Sequence, residues 1–384
     1  MRPSTIPDPP TTAPVPADNP SPMDPGPADP GSPNLGLEAV ALAAAAELPQ
    51  ETAAEEITDD QSWLVQKLRD PRTIFSFLLA IALLVFIFTR FDVHPTEIWG
   101  VIQHANLAMF GLAFLVYYSA FVLRGLRWGK LLENVGFARE RGYKIPSLAG
   151  LIEIIYLSWF VNCIVPAKLG DAYRSYLLKR AAGISFSRII GTILAERMID
   201  IVILFGLLLI SALLTFQGQV PTELNLTIAF GGLLVVVLLI GLVAMRRFGH
   251  VVERLLPGRF QAMYVKLQEG TLHSFRRQSL PLLLAYTASI WLLEGGRLFF
   301  VTRALDTHID LPVVIFIALA SSLITTLPLT PGGAGFVEGA VYVVLTTVGV
   351  DPPTAFSIAL LDRVINYWSI IAGGIIVYIA SHRK

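Results

Sequence analysis

The sequence predicts an all-α polytopic membrane protein. It is organised as an inverted repeat of helix–re-entrant hairpin–helix units drawn from about eight hydrophobic segments. Three observations lead there. Apolar residues make up 54% of the 384 and charged residues only 15%, where a soluble surface needs about a quarter. The apolar residues are gathered into runs of membrane-crossing length. Helix-breaking Pro/Gly turns interrupt two of those runs.

The N-terminal part stands apart. Twelve of the 25 prolines precede residue 34, and residues 1–70 hold twelve acidic against three basic residues, a charge of −9. Net charge is zero, so residues 71–384 carry +9. A Pro/Ala-rich acidic stretch with few aromatics cannot bury enough apolar surface to offset the entropy of ordering. We expect 1–70 to be a disordered cytoplasmic tail, with no secretory signal at its head, and 71–384 to be the transmembrane domain. The balanced charge argues against a nucleic-acid partner. The single cysteine, Cys163, excludes an internal disulfide and a cysteine-based zinc site.

A helix needs about 20 apolar residues to cross the hydrocarbon core. The candidate segments are 73–89, 104–123, 148–165, 189–215, 226–245, 281–302, 311–329 and 355–380. Cytoplasmic loops are rich in Lys and Arg. Loop 124–147 holds Arg124, Arg127, Lys130, Arg139, Arg141 and Lys144, and loop 246–280 holds seven basic residues, whereas 216–226 and 349–355 hold none. This places both termini in the cytoplasm. Segment 148–165 then starts inside, yet Lys168, Arg174, Lys179, Arg180 and Arg188 keep 166–188 inside too. The simplest solution is a hairpin that enters and leaves on one side. By the same logic, 311–348 enters and leaves from outside. The apices would be Pro166-Ala-Lys-Leu-Gly170 and Pro331-Gly332-Gly333-Ala-Gly335. Such backbone is tolerated at membrane depth only where it is buried in protein or lines a wet cavity.

Three blocks recur in order. Arg124-Gly-Leu-Arg127 resembles Glu294-Gly-Gly-Arg297. Pro166-x-x-x-Gly170 resembles Pro331-x-x-x-Gly335. Glu196-Arg197-x-x-Asp200 resembles Asp362-Arg363-x-x-Asn366. The offsets are 170, 165 and 166 residues. The repeat units are about 106–215 and 281–380. One span lies between them, which inverts the second unit relative to the first, the plan of many secondary transporters.

An ionisable residue at the bilayer centre costs at least about 2.5–3.5 kcal/mol, so each needs a reason. Glu196 and Asp200 share a helical face. Glu153, Asp171, Arg174, Glu294, Arg297 and Glu338 add to the polar interior. Structural ion pairing and a hydrated headgroup path are both open readings of these charges. On the second, arginine forks bind phosphate bidentately. The helix starts after Gly170 and Gly335 offer free N–H groups to the same anion.

The ordered motifs resemble the lysylphosphatidylglycerol synthetase-type transmembrane family. They are Arg124-Gly-Leu-Arg-Trp128-x-x-Leu131-Leu132-x-x-x-Gly136, Pro166-Ala-Lys-Leu-Gly170-Asp171-x-x-Arg174, Ala195-Glu196-Arg197-x-x-Asp200, Pro331-Gly-Gly-x-Gly335-x-x-Glu338-Gly339-Ala340 and Asp362-Arg363-x-x-x-Tyr367-Trp368. The resemblance covers about 73–380. It implies a flippase-like fold in a bacterial plasma membrane, with lipid translocation as the best-known activity. The residues it assigns to the site are Arg127, Asp171, Arg174, Glu196, Arg197, Asp200, Arg297, Glu338, Asp362, Arg363 and Tyr367. The turn residues are Pro166, Gly170, Pro331, Gly332, Gly333 and Gly335. Asp171 stands where the family more often has Glu. No soluble synthase domain follows, so the chain is not expected to make the aminoacyl-lipid itself.

No phosphate loop occurs and the six histidines show no i, i+4 pair, so neither a metal nor another cofactor is expected. The partners expected are membrane lipids through a phospholipid headgroup. A cytosolic enzyme recruited by the acidic tail is a further reading, and a homo-oligomer is left open. The alternative activity is a polyprenyl-phosphate-dependent glycosyltransferase, with Asp92 or Glu97 as base.

Overall fold

A computed structural model of the chain describes residues 71–90, 94–165, 169–216, 222–324 and 330–381. The chain divides between Leu48 and Pro49, and every described residue lies in the second unit. The predicted tail over 1–70, the turn residue Pro166 and the candidate base Asp92 lie outside the described residues.

Every described element is helical. In chain order they are α1 (Pro71–Arg90), α2 (Pro95–Ile102), α3 (Leu107–Val135), α4 (Leu148–Ile164), α5 (Gly170–Ala182), α6 (Phe186–Phe216), α7 (Thr222–Leu255), α8 (Gly258–Ser274), α9 (Leu280–Ala304), α10 (Leu311–Ile324), α11 (Phe336–Thr347), α12 (Pro352–Arg363) and α13 (Ser369–Ser381). A π turn, Val364–Trp368, joins α12 to α13. Local chemistry sets the ends. Asn106 accepts from the N–H groups of Ala108 and Met109 to start α3, and Gly136, at φ 103°, stops it. Ser147 caps α4 and Asp351 caps α12. Gly183 ends α5 at φ 68°. These are the side-chain oxygens and left-handed glycines that helix ends call for.

Among the described residues, four helices are long and apolar enough to cross a membrane: Leu107–Arg141, Phe186–Phe216, Ile228–Leu255 and Pro352–Ser381. α9 adds 25 residues but carries Glu294, Arg297 and Arg303. By contrast, α4 has 17 residues. At 1.5 Å per residue it reaches about 26 Å, short of a hydrocarbon core of about 30 Å.

Two expectations need correction. The basic stretch 124–147 is not all loop, because α3 runs through it to Val135. Arg124 and Arg127 are therefore buried side chains of a long helix and do not belong in a count of loop charge. Stretch 246–280 is likewise mostly helix, made of the end of α7 and all of α8. A basic residue at the edge of an apolar run looks like a span end, whatever its partner deeper in the fold.

Packing follows composition. α10 is apolar apart from Ser321 and Ser322, and Val314, Phe316, Ile317, Leu319 and Leu323 are all fully buried, as a largely apolar helix requires. α7 is the opposite case. Only 6% of its apolar window is buried, and Leu233, Val236, Val237, Ile240 and Val243 face outward, toward lipid. Glycines allow the closest crossings. A Cβ on Gly191 of α6 would lie 2.3 Å from the Leu267 carbonyl oxygen, and one on Gly270 of α8 would lie 2.2 Å from that of Arg188. A Cβ on Gly170 would lie 2.0 Å from the Ser158 oxygen, so α5 starts hard against the last turns of α4. Gly206, also on α6, has nothing within 4 Å. Gly191→Ala therefore lowers thermal stability in detergent by about 1–3 kcal/mol through overpacking, while Gly206→Ala does not. Equal melting of the two variants would contradict the α6–α8 crossing.

Candidate functional site

Six arginines and six carboxylates meet inside the helices as two clusters. The first is built from α3, α5 and α6. Arg127 forks onto Asp200, with Nη2 to Oδ2 at 3.2 Å, reaches Glu196 at 3.1 Å, and donates to the Thr287 hydroxyl of α9 at 2.9 Å. Arg174 forks onto Glu196 at 3.0 and 3.1 Å. Arg197 forks onto Asp171 at 3.0 and 3.2 Å and lies 3.5 Å from Asp200. The second cluster is built from α3, α9, α11 and α12. Arg124 donates to Glu294 at 2.6 Å, and Arg297 donates to the other oxygen of the same carboxylate. Arg297 also forks onto Asp362 at 2.7 and 3.1 Å. Arg363 donates to Glu338 at 3.0 Å and to the Gly332 carbonyl at 2.9 Å. Asn366 donates to Asp362 at 2.8 Å.

Each cluster holds three positive and three negative side chains, so each is neutral. Apart from the Arg197–Asp171 pair, their side chains are at most 8% exposed. Neutrality is what makes such burial tolerable, because removing one partner strands a charge at a cost of about 3–5 kcal/mol. Aromatic faces add to it. Arg174 lies 3.8 Å from the Trp128 ring, Arg124 4.4 Å from Trp159, Arg363 4.7 Å from Tyr367 and Arg297 5.4 Å from Tyr117, all within cation–π reach.

The two clusters share a wiring rule that matches the sequence blocks. The arginine of the first block, Arg127 or Arg297, pairs with the acid of the later helix, Glu196 or Asp362. The arginine beside that acid, Arg197 or Arg363, pairs with an acid in the first turn after a chain break, Asp171 or Glu338.

Both clusters border one cavity of about 520 Å³. Of the predicted site residues, Arg127, Asp171, Glu196, Arg197, Asp200, Arg297, Asp362, Arg363 and Tyr367 line it, together with Gly332 and Gly333. Arg174 and Glu338 stand behind, each held to a lining residue, Glu196 and Arg363 respectively. Gly170, Pro331 and Gly335 shape the breaks without lining the cavity, and Glu153 is half-buried away from it. The helix starts are partly occupied: Gly170 donates its N–H to Asn162 Oδ1 at 2.9 Å, and Gly335 donates to Glu338 Oε2 at 2.8 Å. The breaks also meet near Tyr367, whose hydroxyl donates to the Cys163 carbonyl at 3.0 Å and whose ring leaves no room for a Cβ on Gly332. The π turn that carries Asn366 and Tyr367 is a geometry often found at functional sites.

Sequence reasoning left Arg124, Glu294, Asn162, Trp159 and Trp291 out of the site, yet all five line the cavity. Arg124 was legible in principle, since it stands three residues before Arg127 and shares its helical face. The tryptophans and Asn162 carry no such signal.

A polytopic helical fold, buried charge pairs at broken helices and a cavity lined by both describe an integral membrane protein with an internal polar site. The chain belongs to the lysylphosphatidylglycerol synthase TM region family, which it matches over residues 73–374. It is 35% identical over 229 residues to the UPF0104 membrane protein MJ1078 of Methanocaldococcus jannaschii, covering 59% of this chain and 95% of that one. It is 23% identical over 308 residues to the UPF0104 membrane protein PH1989 of Pyrococcus horikoshii, covering 72% and 88%. With the glycosyltransferase AglD of Haloferax volcanii it shares 26% over 342 residues, covering 79% of this chain but 53%, about half, of AglD. These relatives are archaeal and lend no support to the bacterial membrane expected above.

The Arg297–Asp362 pair is the clearest test of cluster energetics. Arg297→Ala and Asp362→Ala should each cost about 3–5 kcal/mol. The double variant should cost less than their sum by at least about 1 kcal/mol in a double-mutant cycle. Additive losses would mean that the two side chains do not interact.

Proposed function

We propose that this protein moves the polar head of a lipid across the bilayer through the cavity between its two charge clusters, while the acyl chains stay in the membrane. One observation carries the reading: the cavity lies within helices of membrane-crossing length, and charge and hydrocarbon line it together. Arg197, Asp171 and Arg363 border the same space as Leu204, Phe230, Leu234 and Leu298. A headgroup entering plain hydrocarbon leaves its hydration behind, at an idealised cost of about 20 kcal/mol per ion. Here it meets guanidiniums and carboxylates that exchange one partner for another.

The short helix α4, followed by a break and the short helix α5, fits a re-entrant hairpin, and the irregular turn at Pro331–Gly335 before the short helix α11 fits the apex of a second. The shared wiring of the clusters fits an inverted repeat, with both termini in the cytoplasm. Broken helices at an internal site suit transport, since irregular backbone at that depth needs a polar cavity to face. Two variants test the topology. Arg180→Cys and Val350→Cys, in a Cys163→Ser background, label from opposite sides of the membrane. Same-side labelling would rule out the inverted arrangement.

For translocation, proteoliposomes carrying headgroup-labelled phosphatidylglycerol are bleached with dithionite. The protein makes the inner-leaflet label accessible, and Arg197→Ala and Arg363→Ala each slow this by at least about tenfold, the equivalent of about 1.4 kcal/mol. Unchanged rates in both variants would remove the clusters from the transport path.

A second reading draws on AglD, named a glycosyltransferase. It makes this chain a transferase acting on a polyprenyl-phosphate sugar. The described candidate base for it, Glu97, is exposed on α2 and does not line the cavity. Consumption of such a donor by purified protein, without lipid movement, would favour it. Recruitment of a cytosolic enzyme by the acidic tail is the third reading. Deletion of residues 1–70 with transport intact argues against it.

A further inference from the structure

We propose that Arg124 and Trp291 form the anion-holding subsite of the cavity, and that its ligand is the phosphate ester of a lipid headgroup. This rests on the translocation reading and names its point of attachment. The forks of Arg127, Arg174, Arg197 and Arg297 each close on a carboxylate, and Arg363 divides its donors between Glu338, Asn366 and the Gly332 carbonyl. Arg124 is different. Its Nη2 donates to Glu294, while its Nη1 is buried without a partner, on a side chain only 7% exposed. The indole N–H of Trp291 is also buried without a partner. Both residues line the cavity. Trp291 stands one helical turn before Glu294 on the same face of α9, and Glu294 is the residue that Arg124 grips. The Trp159 ring, 4.4 Å from the guanidinium carbon, braces the arginine from its side. Arg127 Nε is likewise unpartnered, but it is the inner nitrogen of a fork already closed on Asp200.

The chemistry of the ligand follows from the donors. A guanidinium and an indole N–H donate and cannot accept, so the group they hold offers acceptors only. A positively charged donor favours an anionic acceptor. A phosphate ester presents two non-bridging oxygens, so a single group can supply more than one acceptor. Leaving two buried donors unmet costs about 1–3 kcal/mol apiece, and the bound oxyanion recovers that. The apolar side chains Phe230 and Leu234 on the same cavity favour a lipid over a free phosphate.

The test uses the full chain in detergent and three probes: dioctanoyl phosphatidylglycerol, dioctanoylglycerol and sn-glycerol 3-phosphate. The wild-type protein binds the first at least about tenfold tighter than either of the others. Trp291→Phe keeps an aromatic ring of smaller size and removes the indole N–H, and it reduces that preference about tenfold, the value of one charge-assisted hydrogen bond. Arg124→Gln removes more of it. If Arg124→Gln does not fold, Trp291→Phe alone decides the matter. A preference untouched by Trp291→Phe would overturn the subsite, and equal affinity for sn-glycerol 3-phosphate would overturn its assignment to lipid. The two readings fail separately. Phosphate-selective binding without movement of labelled lipid in proteoliposomes sinks translocation alone, whereas movement with binding blind to both substitutions sinks the subsite alone.

Discussion

Buried charge must be cancelled locally, and the rest of this molecule is arranged around that constraint. A lone arginine at membrane depth would be pulled toward the interface or would have to be left out of the fold. Here each is matched by a carboxylate from a different helix. Arg127 ties α3 to α6, Arg174 and Arg197 tie α5 to α6, and Arg297 ties α9 to α12. The pairs therefore act as crosslinks between helices whose apolar surfaces alone cannot choose one neighbour over another in lipid. Hydrophobic burial gives little orientation where the solvent is itself hydrocarbon. Ion pairs with directional forks do.

The same arrangement reconciles rigidity with a polar interior. Cluster neutrality lets twelve charged side chains sit among Leu, Ile and Phe without a net field that would draw ions in. α3 contributes to both clusters from adjacent turns, with Arg124 serving one and Arg127 the other. α9 touches both as well, through Thr287 on one side and Glu294 with Arg297 on the other. This central pair of helices is the spine on which the two broken elements hang. The degree of exposure differs across it. Arg197 and Asp171 are 36% and 22% exposed, whereas Arg297 and Asp362 are 6% and 4% exposed. The Arg197–Asp171 pair is the most exposed part of either cluster.

How far the sequence foretold this depends on the kind of signal. Apolar runs of twenty residues and charges inside them are strong local signals, and the positions of α6, α9 and α12 follow from them closely. Glu196, Arg197, Asp200, Asp362 and Arg363 stood out because charge in such runs is costly. Arg124 did not. At the edge of an apolar run it reads as loop charge despite its spacing from Arg127, and the extension of α3 to Val135 shows that it points inward. α8 was hidden by its polarity, since a helix pinned through Gly191 and Gly270 needs no apolar stripe of spanning length. The π turn at Val364–Trp368 adds one residue to a helical turn without changing composition, so no periodicity announces it. The free donor of Trp291 is a property of its neighbours, not of its own place in the chain.

At Gly191 and Gly270 the helices α6 and α8 cross backbone against backbone, and the Arg188–Glu269 ion pair joins them beside that crossing. α8 is thus fastened directly to the helix that bears Glu196, Arg197 and Asp200, so Gly258–Ser274 cannot shift without carrying that helix with it.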